Sequence, residues 1–330
     1  MGIVSIYTNF GNKGGAQQVA LQLAHGLTGE ARPLLLTRTP LDQIVADYRA
    51  QAEFKRLSVR TLYGLRLKDT LFISHDRKST TFLMLLKRTL MPQLRVLHVA
   101  HSVHDTLHWA TLLPHNIVAV SAATKQNLVK YFGVNERNIR IIYNGIHDEG
   151  VKSNRFAHSP VINILFAAQV YPLKQQVALA HFVKGKLPPN VHIYFAGNGV
   201  DSEALKAEIK NSDNLHYLGH INIKDNIGRF HYSLLFSQRE GLPITLIESC
   251  MYGLPMLTNQ LPAMLEVNVP ASTGFAYRNF AALIEGLKQL PQPESDEYKR
   301  LSTNARQRYE TLFTEARMMN EYREIIAQIE

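Results

Sequence analysis

The chain has 330 residues, 45% of them hydrophobic and 19% charged, with 14 histidines and one cysteine. That length exceeds one ordinary core and predicts two domains. The composition excludes a disordered chain, and a lone Cys250 excludes an internal disulfide framework and suits a reducing compartment. The net charge of +9 is uneven: residues 1–150 carry 18 Lys and Arg against 10 Asp and Glu, residues 151–330 carry 18 against 17. A basic first half points to an anionic partner (nucleic acid, membrane surface or phosphorylated substrate), unless it is the chance sign bias of a solvated surface. Residues 1–12 do not read as an export signal, and no stretch approaches the roughly 20 apolar residues of a spanning helix. A cytoplasmic protein is the expectation.

In chain order, Ile3–Tyr7 is an apolar run, Thr8–Gly15 a glycine-bearing loop and Ala16–Leu27 a helically periodic stretch. Pro33–Thr37, Thr70–Ser74, Arg95–Ala100 and Asn116–Val120 read as further strands, with helices over Thr81–Leu90 and Ala122–Phe132. The polar, aperiodic segment His147–Pro160 predicts an interdomain linker. The pattern then restarts, with strands at Ile162–Ala167, Val191–Ala196, His216–Leu218 and Ser233–Phe236. Helices are expected at Lys174–Phe182, Asp201–Asn211 and Pro243–Tyr252, and a last helical stretch runs over Tyr298–Ile329. Strands alternating with helices predict parallel sheets covered on both faces, hence the α/β class.

Ser237–Glu248, SQREGLPITLIE, carries the most chemistry. Glu240 ends a strand, Gly241–Leu242–Pro243 makes a turn, and Glu248 lies about one helical turn beyond the helix start. The missing N–H of a proline is harmless in a first helical turn, which suits Pro243. Open amides and the positive dipole end at a helix start suit a diphosphate. A carboxylate at Glu248 can accept two ribose hydroxyls, and Glu240 can face a transferred sugar. Solvated helix glutamates show the same spacing by chance, but the full strand, turn and helix context is rarer.

EGLPITLIESCMYGLPML resembles the E-x7-E motif of the retaining GT-B glycosyltransferases, family 4 above all, and the resemblance extends over almost the whole chain. GNKGGAQQVALQLAHGL is similar to that family's Gly-Gly turn, here Gly14 and Gly15, whose backbone approaches donor phosphates and acceptor. SAATKQNLVKYFGVNERNIRIIYNGI resembles the segment leading into the Asn-Gly-Ile that closes its first domain. AGNGVDSEAL and LHYLGHI resemble its Gly-x-Gly loop, with Gly197, and the strand, ending at Gly219, whose backbone reads the base.

The resemblance implies two Rossmann-like domains facing across a cleft. Residues 1–147 would form the acceptor side, 148–310 the nucleotide-sugar domain, and 311–330 a helix returning to the first domain. It implies Glu248 on the ribose, Glu240 on the donor sugar, and Lys174 on the diphosphate. Arg239, Gly241, Leu242 and the amides of Thr245 and Leu246 would line the phosphates, and His101 would face the transferred sugar. The implied reaction is a retaining, metal-independent transfer from a nucleoside diphosphate sugar, such as a UDP-sugar, to a hydroxyl. No cofactor is expected, and the acceptor would be a lipopolysaccharide or other surface glycan or glycolipid at the inner face of a membrane.

One departure stands out: in LFAAQVYPLKQQ, Gln169 occupies the position where the family has an arginine. Glutamine donates a hydrogen bond without the charge that makes such bonds about twice as strong. Arg239 or Lys13 is the candidate replacement. No Asp-x-Asp, G-x-G-x-x-G or G-x-x-x-x-G-K-[ST] occurs, so metal-chelated diphosphate, dehydrogenase and P-loop readings are weak. His98, His101, His104 and His108 (HVAHSVHDTLH) could hold zinc on a helix, but a strand over 95–100 would turn His98 and His101 to opposite sides. Phe82–Leu97, with Lys87, Arg88 and Arg95, reads either as a membrane-interface segment or as an ordinary helix packed on a sheet. A nucleic-acid-binding protein would explain the basic charge but shows no recognition module, and a non-catalytic sugar-nucleotide-binding subunit would explain Gln169.

Overall fold

A computed structural model describes residues 2–66, 69–150 and 159–329. The chain divides into two compact units, residues 1–144 with 315–330, and residues 145–314.

In the first unit the strands are β1 (Gly2–Ile6), β2 (Leu34–Thr37), β3 (Glu53–Arg56), β4 (Thr70–Ser74), β5 (Arg95–Ala100), β6 (Asn116–Ala119) and β7 (Ile139–Ile141). Between them run α1 (Gly15–Thr28), α2 (Ala46–Gln51), α3 (Val59–Arg66), α4 (Arg77–Thr89) and α5 (Ala122–Lys130). The sheet is parallel throughout, in the order β3-β2-β1-β4-β5-β6-β7. Its central strand β4, TLFIS, is buried at every residue, as a strand covered on both faces must be. β3, EFKR, is polar and mostly exposed because it is an edge and pairs only with β2. α4 begins four residues before the sequence reading placed it, where Asp76 accepts from Ser79 N–H as N-cap. Leu83, Met84 and Leu86 bury against β1, β2, β4 and β5, while Leu85, Arg88 and Leu90 stay exposed.

The second unit carries β8 (Ile162–Ala167), β9 (Val191–Ala196), β10 (Leu215–Gly219), β11 (Tyr232–Leu235), β12 (Met256–Asn259) and β13 (Gly274–Tyr277). Its helices are α6 (Gln176–Val183), α7 (Ser202–Ile209), α8 (Ile223–Asn226), α9 (Ile244–Met251), α10 (Pro262–Leu265), α11 (Phe280–Leu287) and α12 (Asp296–Leu312). The sheet is again parallel, in the order β10-β9-β8-β11-β12-β13. In both sheets the order reverses beside the first strand, between β1 and β4 and between β8 and β11. In open parallel sheets of this kind ligands bind beyond the carboxyl ends of the strands at that reversal.

Of the expected linker His147–Pro160, residues 151–158 lie outside the described residues. The part before them is tied into the second unit: Ile146 bridges Thr314, Tyr309 OH donates to the Ile146 carbonyl at 2.9 Å, and Arg306 Nη1 donates to Asp148 at 2.9 Å. The single helical stretch expected over Tyr298–Ile329 is broken. Phe313, fully buried, leaves helical geometry at φ −122°, ψ 19°, and α13 (Glu315–Ala327) starts afresh as part of the first unit. There it lies against α1, where Arg323 donates to the Gly26 carbonyl at 2.9 Å and Arg140 bonds Glu324 at 2.6 Å.

Candidate functional site

In the second unit the loops after β8 and β11 meet. Gln238 N–H donates to the Leu173 carbonyl at 2.8 Å, joining the 3₁₀ turn Pro172–Lys174 to the segment that follows β11. Asn259, at the end of β12, clamps Ser237: Ser237 N–H donates to its Oδ1 at 3.2 Å, and its Nδ2 donates to the Ser237 carbonyl at 2.8 Å. Ser237 Oγ then donates to Glu240 Oε1 at 2.7 Å, and the same oxygen is ion-paired with Lys174 Nζ. The Lys174 and Glu240 side chains keep only 17% and 10% of their surface exposed, so the pair is largely withdrawn from water.

Pro243 is the N-cap residue of α9, with no side chain capping the first turn. Leu246 N–H donates to the Pro243 carbonyl at 3.1 Å, so that amide is committed to the helix. Thr245 N–H has no acceptor among the described residues. One turn further, Glu248 is half-buried; its backbone carbonyl accepts from Tyr252 N–H at 3.0 Å, while its carboxylate receives no hydrogen bond from the described residues. It borders a cavity of about 20 Å³ with Leu165, Ile227, Leu246 and Tyr252. Burial among such groups disfavours the charged form and pushes its carboxyl up to about 7.

Two glycines here are dictated by the backbone. A Cβ on Gly197, at φ +135°, would sit 2.0 Å from the Ala168 carbonyl oxygen, and Gly219 ends β10 at φ +64°. Gly241 and Leu242 are buried in the turn before α9, and Arg239 beside them is half-buried. Gln169 is exposed, and its carbonyl accepts from Gln176 Nε2 at 2.9 Å.

Gly14, Gly15 and His101 belong to the first unit. Gly14 is the N-cap of α1 in extended conformation, φ −165°, and a Cβ there would meet only the movable Gln17 side chain. Nothing in this unit's own fold demands glycine at that point. Lys13, beside it, is ion-paired with Asp47.

His101 follows β5 and lines a cavity of about 480 Å³ over the carboxyl ends of β1, β4 and β5, with Tyr7, Thr8, His75, Asp76, Ala100 and Phe132 among its walls. This is the reversal point of the first sheet. Asp76 ties its rim together, accepting from Thr8 N–H and Ser79 Oγ at 2.8 Å each. His98 borders the floor of the same cavity, 1% exposed, 2.8 Å from Thr80 Oγ1, and burial lowers its imidazole to about 4. His104 sits in a loop fixed by Asn127, and His108 in a 3₁₀ turn against Tyr131. The histidines therefore follow strand and loop geometry, and no group of three or more His, Cys, Asp or Glu among the described residues is placed to hold an ion. His75, Ser237 and Asn259 are site neighbours to which sequence reasoning gave no role. FISHD, a strand ending in a histidine and a helix-capping aspartate, carried the signal for the first.

Residues 154–308 match the family described as "Glycosyl transferases group 1". The chain is similar to the O-antigen biosynthesis glycosyltransferase WbnH of Escherichia coli, 24% identical over 159 residues, 48% of this chain and 46% of that protein. The match thus spans about half the length of the curated relative. Among solved structures, Anabaena Alr3699/HepE in complex with UDP covers 99% of this chain and 100% of its own, with a TM-score of 0.81 at 13% identity. The lipopolysaccharide outer core galactosyltransferase WaaB in its apo form gives a TM-score of 0.75 at 15% identity, covering 99% of each chain. Two parallel-sheet α/β units in this order are the GT-B fold shared with those structures.

Proposed function

We propose that the chain is a retaining glycosyltransferase that moves a sugar from a nucleoside diphosphate sugar to a hydroxyl of a surface glycan or glycolipid. The observation that carries this reading is Glu248. A half-buried carboxylate with no hydrogen-bond partner among the described residues, one turn behind an uncapped helix start, is a ready acceptor for two ribose hydroxyls. Thr245 N–H and the positive end of α9 meet the phosphates, and Lys174 meets the charge that develops on the leaving diphosphate. Glu240, held by Lys174 and Ser237, faces the donor sugar. Retention follows the likeness of EGLPITLIE to the E-x7-E motif.

The cavity beside His101 takes the acceptor. A UDP-sugar is the first donor to test, since HepE is a structural neighbour solved with UDP and with UDP-glucose. Protein groups rather than a metal ion neutralise the leaving group, so turnover persists in excess chelator; loss in EDTA restored by a divalent ion refutes this. The basic first half, with Leu85, Arg88 and Leu90 exposed on and after α4, holds the protein to an anionic inner-membrane surface. Co-sedimentation with anionic vesicles should fall with salt and be absent with neutral ones.

The deciding experiment is calorimetry of Glu248→Ala with the nucleotide that most stabilises the wild type in a thermal screen of sugar nucleotides. Losing this acceptor should weaken binding by about 1.5–3 kcal/mol. Unchanged affinity in the folded variant overturns the assignment.

A further inference from the structure

His75 and His101 stand on neighbouring loops, after β4 and β5, with His75 Nδ1 3.0 Å from His101 Nε2 and ring planes within 22° of parallel. That is the in-plane approach of an N–H···N hydrogen bond. His75 is fixed at the strand end: its backbone N–H donates to the Ile6 carbonyl at 2.9 Å, and its side chain is 2% exposed. Its Nε2 is buried and has no partner among the described residues. Its one polar side-chain contact is therefore the bond to His101, whose Nδ1 is left as the nitrogen available to a ligand in the cavity.

Both rings are uncharged near neutrality. Burial, then the neighbouring histidines, lowers His75 well below its ordinary value, and burial followed by His98 lowers His101 to about 3. Two neutral imidazoles joined nitrogen to nitrogen share one bridging proton. If His75 supplies it, His101 Nδ1 carries hydrogen and donates to the ligand. If His101 supplies it, that nitrogen is bare and accepts. The tautomer of one ring is thereby tied to that of the other.

We propose that His75 is the positioning residue of His101: their hydrogen bond orients the His101 ring and confines it to one tautomer, which fixes whether it gives or takes a hydrogen bond in the cavity. This rests on the reading of His101 as a substrate-facing residue of a glycosyltransferase. His75, held behind His101 at the strand end, then governs the polarity of the ring that faces the substrate.

Nitrogen-15 spectra of histidine-labelled protein test the pair without any substrate. The wild type should show one neutral His101 tautomer, the same as that of His75 (both Nδ1–H or both Nε2–H), unchanged from pH 6 to 8, with scalar coupling between His75 Nδ1 and His101 Nε2. A mixture of tautomers, or no coupling, overturns the proposal. His75→Phe keeps a ring but loses the bond: His101 should then show both tautomers. The variant's kcat should fall about tenfold to hundredfold with donor KM nearly unchanged. His75→Asn, whose amide reaches the Nδ1 position, should restore the single tautomer and most of kcat. A folded His75→Phe protein with wild-type His101 signals refutes the idea, and if that variant does not fold, the wild-type spectrum still decides. Absence of transferase activity in the wild type would instead refute the functional reading and leave the spectroscopic result standing.

Discussion

Lys174 Nζ is ion-paired with Glu240 Oε1, so the cation expected on the diphosphate and the carboxylate expected on the sugar neutralise each other across their two loops. With both side chains largely withdrawn from water, removing one leaves an uncompensated charge. Lys174→Met should cost about 3 kcal/mol in urea unfolding, at the lower end of the range for breaking a buried pair. The double variant with Glu240→Gln should recover much of that loss. Additive costs would show that the pair carries no coupling.

Glu248 gives the second unit a pH dependence of definite sign. Its folded carboxyl sits near 7, above the ordinary 4.5, so the folded state holds a proton that the unfolded chain releases. This contribution is most favourable below about pH 4.5 and is lost as pH rises through about 7, up to roughly 3 kcal/mol. Glu248→Gln should therefore gain stability over the wild type at pH 8 and match it at pH 4. Nucleotide affinity of the wild type should rise from pH 6 to 8 as the acceptor ionises, and a flat calorimetric profile would contradict that.

His98 has the opposite sign in the first unit. Its folded pKa of about 4 lies below the ordinary 6.5, so its contribution is whole above about 6.5 and is lost as pH falls through about 4. Amide exchange should show the β4–β5 region opening more readily at pH 4.5 than at 7, while the region around α9 is relieved of its Glu248 penalty. His98→Asn should flatten the acid loss in the first unit, and an unchanged acid slope would remove His98 as its cause.

Two glycines differ in what alanine would meet. At Gly197 a Cβ collides with the Ala168 carbonyl oxygen, 2.0 Å away, whereas at Gly219 the nearest atom is 3.7 Å away and only the positive φ is strained. Gly219→Ala should cost about 1–2 kcal/mol, the usual penalty for a left-handed non-glycine residue. Gly197→Ala should cost clearly more and move the loops after β8 and β9 apart. Equal thermal shifts for the two would contradict the collision.

Gln169 is exposed beside the Lys174 turn. Gln169→Arg should rescue nucleoside diphosphate binding lost in Arg239→Ala if Arg239 already supplies the charge that the family draws from this position. Independent, additive effects in calorimetry would exclude compensation by Arg239.

The alternation of apolar runs revealed both sheets, because β1, β4, β5, β8 and β9 are mostly buried and rich in apolar residues. β3 was invisible for the complementary reason: an edge strand of EFKR has no buried run to read. The break at Phe313 left no glycine or proline, and periodicity ran straight through it. Glu240, Lys174 and Glu248 stood out by motif, but their partners did not. Ser237 and Asn259 meet across 22 residues, and His75 meets His101 across 26, distances at which local pattern says nothing.

The placement of α13 bears on how the chain is made. Its Met319 sulfur fills the space over Gly26 of α1, yet that segment is synthesised only after the whole of the second unit. On a ribosome the first sheet emerges early and must wait with the α1 surface uncovered, while the second unit can close on itself as soon as α12 appears. Domain order in synthesis and domain order in completion are thus reversed, and a nascent chain stalled before residue 315 would present that uncovered face of α1 to a chaperone.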